Sequence, residues 1–123
     1  MIGLGVDLVD VARFRRTLTR TPGLTARLFT PSERSYAETA QDPAERYAVR
    51  FAAKEAVMKA LGVGLGGIDW HDVEVHRATS GAPSLRVAGR AAALAHDAGV
   101  RRWLVSLSHT ASTAEAVVIA VGS

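Results

Sequence analysis

Hydrophobic and small residues alternate at the start of the chain. Ile2, Leu4, Val6 and Leu8 fall on one face of residues 2–9, and Gly3, Gly5, Asp7 and Val9 on the other. A period of two predicts a strand with one apolar face. Gly3 and Gly5 share the face of Asp7 and leave room for another group to approach the backbone closely. The period then changes to that of a helix over residues 11–20, with Asp10 as its cap and Val11, Phe14 and Leu18 on the inner side. Thr21-Pro22-Gly23 ends that helix.

Two further helix starts are explicit. Thr30-Pro31-Ser32-Glu33 combines a cap, an N1 proline and an N3 glutamate. Asp42-Pro43-Ala44-Glu45 repeats the signal and opens a long helix over residues 43–61, which Gly62 terminates. Its apolar stripe contains Tyr47, Phe51, Met58 and Leu61, with Lys54 in the middle where an aliphatic residue is expected. A glycine-rich connection, 62–67, leads to a strand over 73–77, a Ser80–Pro83 turn and a short strand near 85–87. A helix over 88–98 and a hairpin of 102–109 with 114–121 complete the chain. This order predicts an α+β fold in a single domain, 1–123, with a small antiparallel sheet.

Bulk composition narrows the classes. The chain has 123 residues and no cysteine, which excludes a disulfide framework and a thiolate metal site. No basic region followed by a long apolar run opens it, and no apolar stretch is long enough to span a bilayer, so a cytoplasmic location without membrane association is expected. The net charge of +3 suits an acidic partner or simply a soluble surface. A small basic nucleic-acid-binding domain is the alternative class, although helix-turn-helix, zinc-finger and RNP signatures are lacking.

Candidate chemistry is concentrated in residues 46–64. Only two lysines accompany thirteen arginines, and both, Lys54 and Lys59, lie there. Arg46, Arg50 and Lys54 follow at i, i+4 spacing, where like charges repel, so an anion is expected to complete the row. Asp7 and Glu55 could together hold a hard divalent cation, since magnesium typically takes one or two carboxylates with waters and phosphate oxygens. A helical ion pair between Glu55 and Lys59 is the plainer reading. Gly62 and Gly64 could offer backbone N–H groups to a phosphate. Ser106 and Ser108 share a strand face opposite His109, which disfavours a serine–histidine nucleophilic pair. Arg13, Arg16 and Arg20 form the outer face of the first helix, either solvated or suited to an acidic partner.

Gly5-Val6-Asp7-Leu8-Val9, Arg50-Phe51-Ala52-Ala53-Lys54-Glu55-Ala56, Lys59-Ala60-Leu61-Gly62-Val63-Gly64 and Ser106-Leu107-Ser108-His109, taken in that order, resemble the holo-acyl-carrier-protein synthases, the small 4′-phosphopantetheinyl transferases. The resemblance implies that family's fold, with a long central helix packed on the sheet. It also implies transfer of phosphopantetheine from coenzyme A to a serine of apo-acyl carrier protein, serving fatty acid synthesis, with service to polyketide synthesis as the alternative within the family. Asp7 and Glu55 become the Mg2+ ligands, with Asp7, Glu55 and Lys59 as the catalytic group. Arg50, Lys54, Lys59, Gly62, Gly64 and His109 become coenzyme contacts, and Arg13, Arg16 and Arg20 the docking face for the acidic carrier. It further implies a homotrimer with sites between subunits.

Overall fold

The computed structural model describes residues 1–123. The first strand, β1 (Gly3–Asp10), lies antiparallel to the last, β5 (Thr113–Val121), which pairs in turn with β4 (Arg102–His109). Asp7 is paired with Ala116 and His109 with Ala114. The ends of the sequence therefore meet in one three-stranded sheet, and the long helix α4 (Pro43–Leu61) lies across it.

Small residues permit that crossing. A Cβ on Gly5 would fall 1.8 Å from the carbonyl oxygen of Ala56, and one on Gly3 2.0 Å from that of Ala60. Ala114, Ala116, Val118 and Ala120 of β5 are buried on the same side. The group that approaches the glycine face is thus the backbone of α4. The alternation of β1 is as expected, but its packing is the reverse of a simple amphipathic strand. The apolar face, Ile2, Leu4, Val6 and Leu8, is open, with Leu8 64% exposed.

Helix α1 (Val11–Arg20) begins at Asp10, whose Oδ1 accepts the Arg13 N–H at 2.9 Å. It buries Val11 and Phe14. A short α2 (Leu24–Leu28), which the hydrophobic pattern did not signal, follows Gly23, whose φ is +85°. Helix α3 (Pro31–Ala37) starts with a reciprocal capping box. Thr30 Oγ1 accepts from Glu33 N at 3.2 Å, and Glu33 Oε1 accepts from Thr30 N at 3.0 Å. Losing such a cap typically costs about 1 kcal/mol.

Asp42 caps α4, which ends at Gly62 with φ +72°; there Val63 N–H donates to the Met58 carbonyl at 3.0 Å. The helix is enclosed on more sides than a single stripe, because the sheet, α1, α3 and a second sheet surround it. That second sheet is a ribbon of β2 (Val73–Arg77) and β3 (Pro83–Val87), preceded by a 3-10 turn at Trp70–Asp72. Helix α5 (Gly89–Asp97) completes the fold. Two apolar clusters result. One is centred on Ala52, Ala56, Val57, Val73 and Val118, and the other on Phe14, Phe29, Tyr47 and Ala48.

Candidate active site

Strand β1 and helix α4 deliver Asp7 and Glu55 to one cavity of roughly 780 Å³, with Arg13 of α1, Phe51, Leu65 and Trp70 also in its wall. The Gly5 approach to Ala56 brings the two carboxylates together, because Asp7 is two residues beyond Gly5 and Glu55 adjoins Ala56. Burial raises the Glu55 carboxyl above its ordinary value, the Asp7 charge raises it further, and Lys59 opposes both. Lys59 Nζ donates to Asp7 Oδ1 at 2.9 Å and to the Val6 carbonyl at 2.9 Å. The close ion pair of Lys59 is therefore with Asp7 across the strand–helix boundary. No cluster of three or more His, Cys, Asp or Glu side chains could hold a metal. A pair of carboxylates beside an open cavity nonetheless fits a hard cation that keeps waters and phosphate oxygens as its other ligands.

A second cavity, roughly 650 Å³, lies elsewhere on the chain and is lined by Tyr36, Arg46, Arg50, Arg77, Gly81 and His109 among others. Three guanidinium groups surround the Tyr36 ring, with Arg46, Arg50 and Arg77 at 4.2, 4.6 and 5.3 Å from its centroid. Such contacts are worth roughly 0.5–1 kcal/mol each at exposed sites and more when desolvated. Arg50 is almost wholly buried and its Nε has no partner. His109 Nδ1 is 3.8 Å from Glu45 Oε1. Arg50 and His109 are therefore brought together, but not to the carboxylate cavity of their own chain.

Lys54 departs from expectation. Its ammonium is fully buried, donates to Glu33 Oε1 at 2.8 Å and to the Trp70 carbonyl at 3.0 Å, and also donates to the Val73 carbonyl. Three donors thus have three internal acceptors, which leaves none for a coenzyme phosphate. The anion that answers the lysine of the cationic row is Glu33, which a reading of helix spacing along one segment could not supply. Burial lowers the Lys54 pKa, and Glu33 opposes that shift. Gly62 and Gly64 line neither cavity. Arg13, Arg16 and Arg20 are exposed along α1 as expected.

Residues 3–121 match the family model of the 4′-phosphopantetheinyl transferase superfamily. The chain belongs to this superfamily. Among its transferase relatives, the holo-[acyl-carrier-protein] synthase of Frankia alni is 52% identical over 120 residues, covering 98% of this chain and 97% of the relative. That of Clavibacter michiganensis subsp. michiganensis is 55% identical, covering 98% and 95%. Among solved structures, the transferase fold is matched by the holo-[acyl-carrier-protein] synthase of Neisseria meningitidis, with TM-score 0.89, 28% identity and 98% coverage of both chains. The Helicobacter pylori enzyme in complex with coenzyme A has TM-score 0.84 and 28% identity, covering 96% of this chain and 99% of its own.

Within this transferase fold, several cavity residues escaped the sequence reading. Tyr36 and Arg77 reach the second cavity from α3 and the end of β2, and Arg27 reaches the first from α2. Their positions depend on long-range packing. The capping box at Thr30 was a visible signal for α3, but its glutamate also accepts the Val75 N–H at 2.9 Å, a partner 42 residues away.

Proposed function

We propose that this protein is a holo-[acyl-carrier-protein] synthase that moves the 4′-phosphopantetheine group of coenzyme A onto a serine of apo-acyl carrier protein. The observation that carries the reading is the convergence of Asp7 and Glu55 at one cavity beside the arginine-bearing α1, with the Lys59 ammonium paired to Asp7. The serine oxygen forms a bond to the phosphorus that bears pantetheine. The bridging P–O bond to the adenosine side breaks, and adenosine 3′,5′-bisphosphate leaves.

Asp7 and Glu55 would hold a magnesium ion, which when bound supplies positive charge at the coenzyme pyrophosphate. Lys59, already at Asp7, holds an ammonium where charge builds on the leaving phosphate. The serine proton passes to the Glu55 carboxylate or to a water that it orients. Arg13, Arg16 and Arg20 steer the acidic carrier so that its serine reaches this cavity.

Arg50 and His109 bind the ribose 3′-phosphate of a coenzyme whose pyrophosphate lies at another subunit's Asp7 and Glu55, with Gly62 and Gly64 passing close to the nucleotide. Two observations support a homotrimer with such shared sites. The cationic cavity is separate from the carboxylate cavity within one chain. One cross-strand row of the outer sheet face, Leu4, Ile119 and Leu104, is also apolar from edge to edge. Leu4 and Leu104 are about half exposed, at 51% and 45%, which suits burial against copies of the same chain. No helix is long and apolar enough to cross a membrane. A cytoplasmic role in fatty acid synthesis completes the proposal.

The test is mass spectrometry of apo-acyl carrier protein incubated with the protein, coenzyme A and magnesium. A phosphopantetheine mass increment is expected, lost with a chelator and greatly reduced in Asp7→Ala or Glu55→Ala. An unmodified carrier with the wild-type protein refutes the reading.

A further inference from the structure

A buried polar seam runs between α3, α4 and the start of β2. Lys54 precedes Glu55 on α4 and lies one turn after Arg50. Its ammonium grips the carbonyls of Trp70 and Val73, which flank the 3-10 turn and the start of β2. The carboxylate that neutralises it, Glu33, is itself almost inaccessible and holds three groups at once. These are the Lys54 ammonium at 2.8 Å, the Thr30 N–H at 3.0 Å and the Val75 N–H at 2.9 Å. Thr30 Oγ1 extends the seam to Glu74 Oε2 at 2.6 Å. The β2–β3 ribbon makes no ladder with the main sheet; Lys54 ties its Val73 carbonyl to α4, Glu33 ties its Val75 N–H to α3, and β3 packs beside β4. Trp70 stands in the wall of the carboxylate cavity, with its ring stacked on Phe51 at 5.2 Å and 26°.

We propose that Lys54 and Glu33 form one positioning unit for the transfer reaction, setting the Trp70–Phe51 wall and the rotation of α4 that turns Glu55 toward Asp7. Neither side chain touches substrate. A buried ion pair is a poor source of net stability compared with an apolar pair of similar volume. The geometry it imposes is specific, however, because the Lys54 ammonium and the Glu33 carboxylate together link three separate segments: Thr30 at the start of α3, α4, and Trp70–Val75. A shift of about 1 Å in a positioning group can cost on the order of 10²-fold in rate. The inference rests on the transferase reading, which the wild-type carrier assay tests by itself.

The experiment compares Glu33→Gln, Lys54→Met and the double variant, with thermal unfolding of each recorded first and assays run well below its midpoint. Turnover is measured at saturating carrier and coenzyme A, and coenzyme A affinity by calorimetry without carrier. Each variant is expected to lose roughly 10-fold or more in kcat while its coenzyme Kd changes less than about threefold, and the double is expected to be no worse than the poorer single, as for residues that act as a unit. A Lys54→Met that weakens coenzyme binding about 10-fold while Glu33→Gln turns over normally would overturn the proposal in favour of direct contact. Wild-type kcat in both singles would also overturn it. If Lys54→Met does not fold, the isosteric Glu33→Gln decides alone: a kcat loss with an unchanged coenzyme Kd supports the positioning unit, and a wild-type kcat, or a coenzyme Kd raised about 10-fold, overturns it.

Discussion

Gly5→Ala tests the geometry on which the carboxylate cavity depends. The added methyl group would stand 1.8 Å from the Ala56 carbonyl oxygen and 2.7 Å from its carbonyl carbon. Both atoms belong to the backbone, so no rotamer change relieves the clash. Ordinary contact begins near 3.4 Å, so strand and helix must separate by about 1.6 Å at this point. Overpacking of this kind costs about 1–3 kcal/mol or more of stability. The larger effect is catalytic. Asp7, two residues from Gly5, and Glu55, next to Ala56, separate with them, and a displacement of 1 Å or more predicts a loss of roughly 10²-fold or greater in kcat/KM. The assay is carrier modification followed by mass spectrometry, at a temperature where circular dichroism shows the variant folded. Arg50 and His109, in the other cavity, serve as an internal control, since a folded variant should still bind adenosine 3′,5′-bisphosphate. A folded Gly5→Ala enzyme with near wild-type turnover would refute the claim that the close β1–α4 crossing aligns the acids.

Other perturbations probe separate parts of the molecule. Leu4→Asp places a charge on the open sheet face; sedimentation should change from the proposed trimer to monomer, and transfer should fall by an order of magnitude or more. Arg13→Glu combined with Arg20→Glu should raise the KM for carrier about 10-fold or more at low salt with little change in saturating kcat, the difference shrinking as salt screens the charges. Asp42 is a cap for α4 and is paired with Arg15, which holds its carboxyl below the ordinary 3.8. A depressed carboxylate contributes stability above its unfolded pKa and loses it as pH falls through the folded one. The stability deficit of Asp42→Ala should therefore be full near neutrality and diminish below about pH 4, as read by denaturant unfolding across pH.

Local signals in the sequence were reliable wherever neighbours along the chain determine the outcome. The caps at Asp10, Thr30 and Asp42 start helices where expected, because each acceptor serves N–H groups two or three residues away. Gly62 ends α4 for an equally local reason, its positive φ. The terminal hairpin follows from period-two alternation. By contrast, α2 has five residues and too little periodicity to announce itself.

Direction and long-range partnership were not encoded locally. Alternation established that β1 has an apolar and a glycine face, but only the arrival of α4 decided that the glycine face turns inward. Lys54 illustrates the same division. Its place in a helical stripe was evident, but its acid partner comes from α3 and its carbonyl partners from Trp70 and Val73. The sequence by itself determined every helix and strand except α2, the caps at Asp10, Thr30 and Asp42, and the acidic and basic residues that are candidates for cation and phosphate. The tertiary structure alone decided that Asp7 and Glu55 share a cavity, that Arg50 and His109 share another, and that Lys54 is enclosed, because these groups meet only when segments distant in the chain are packed together.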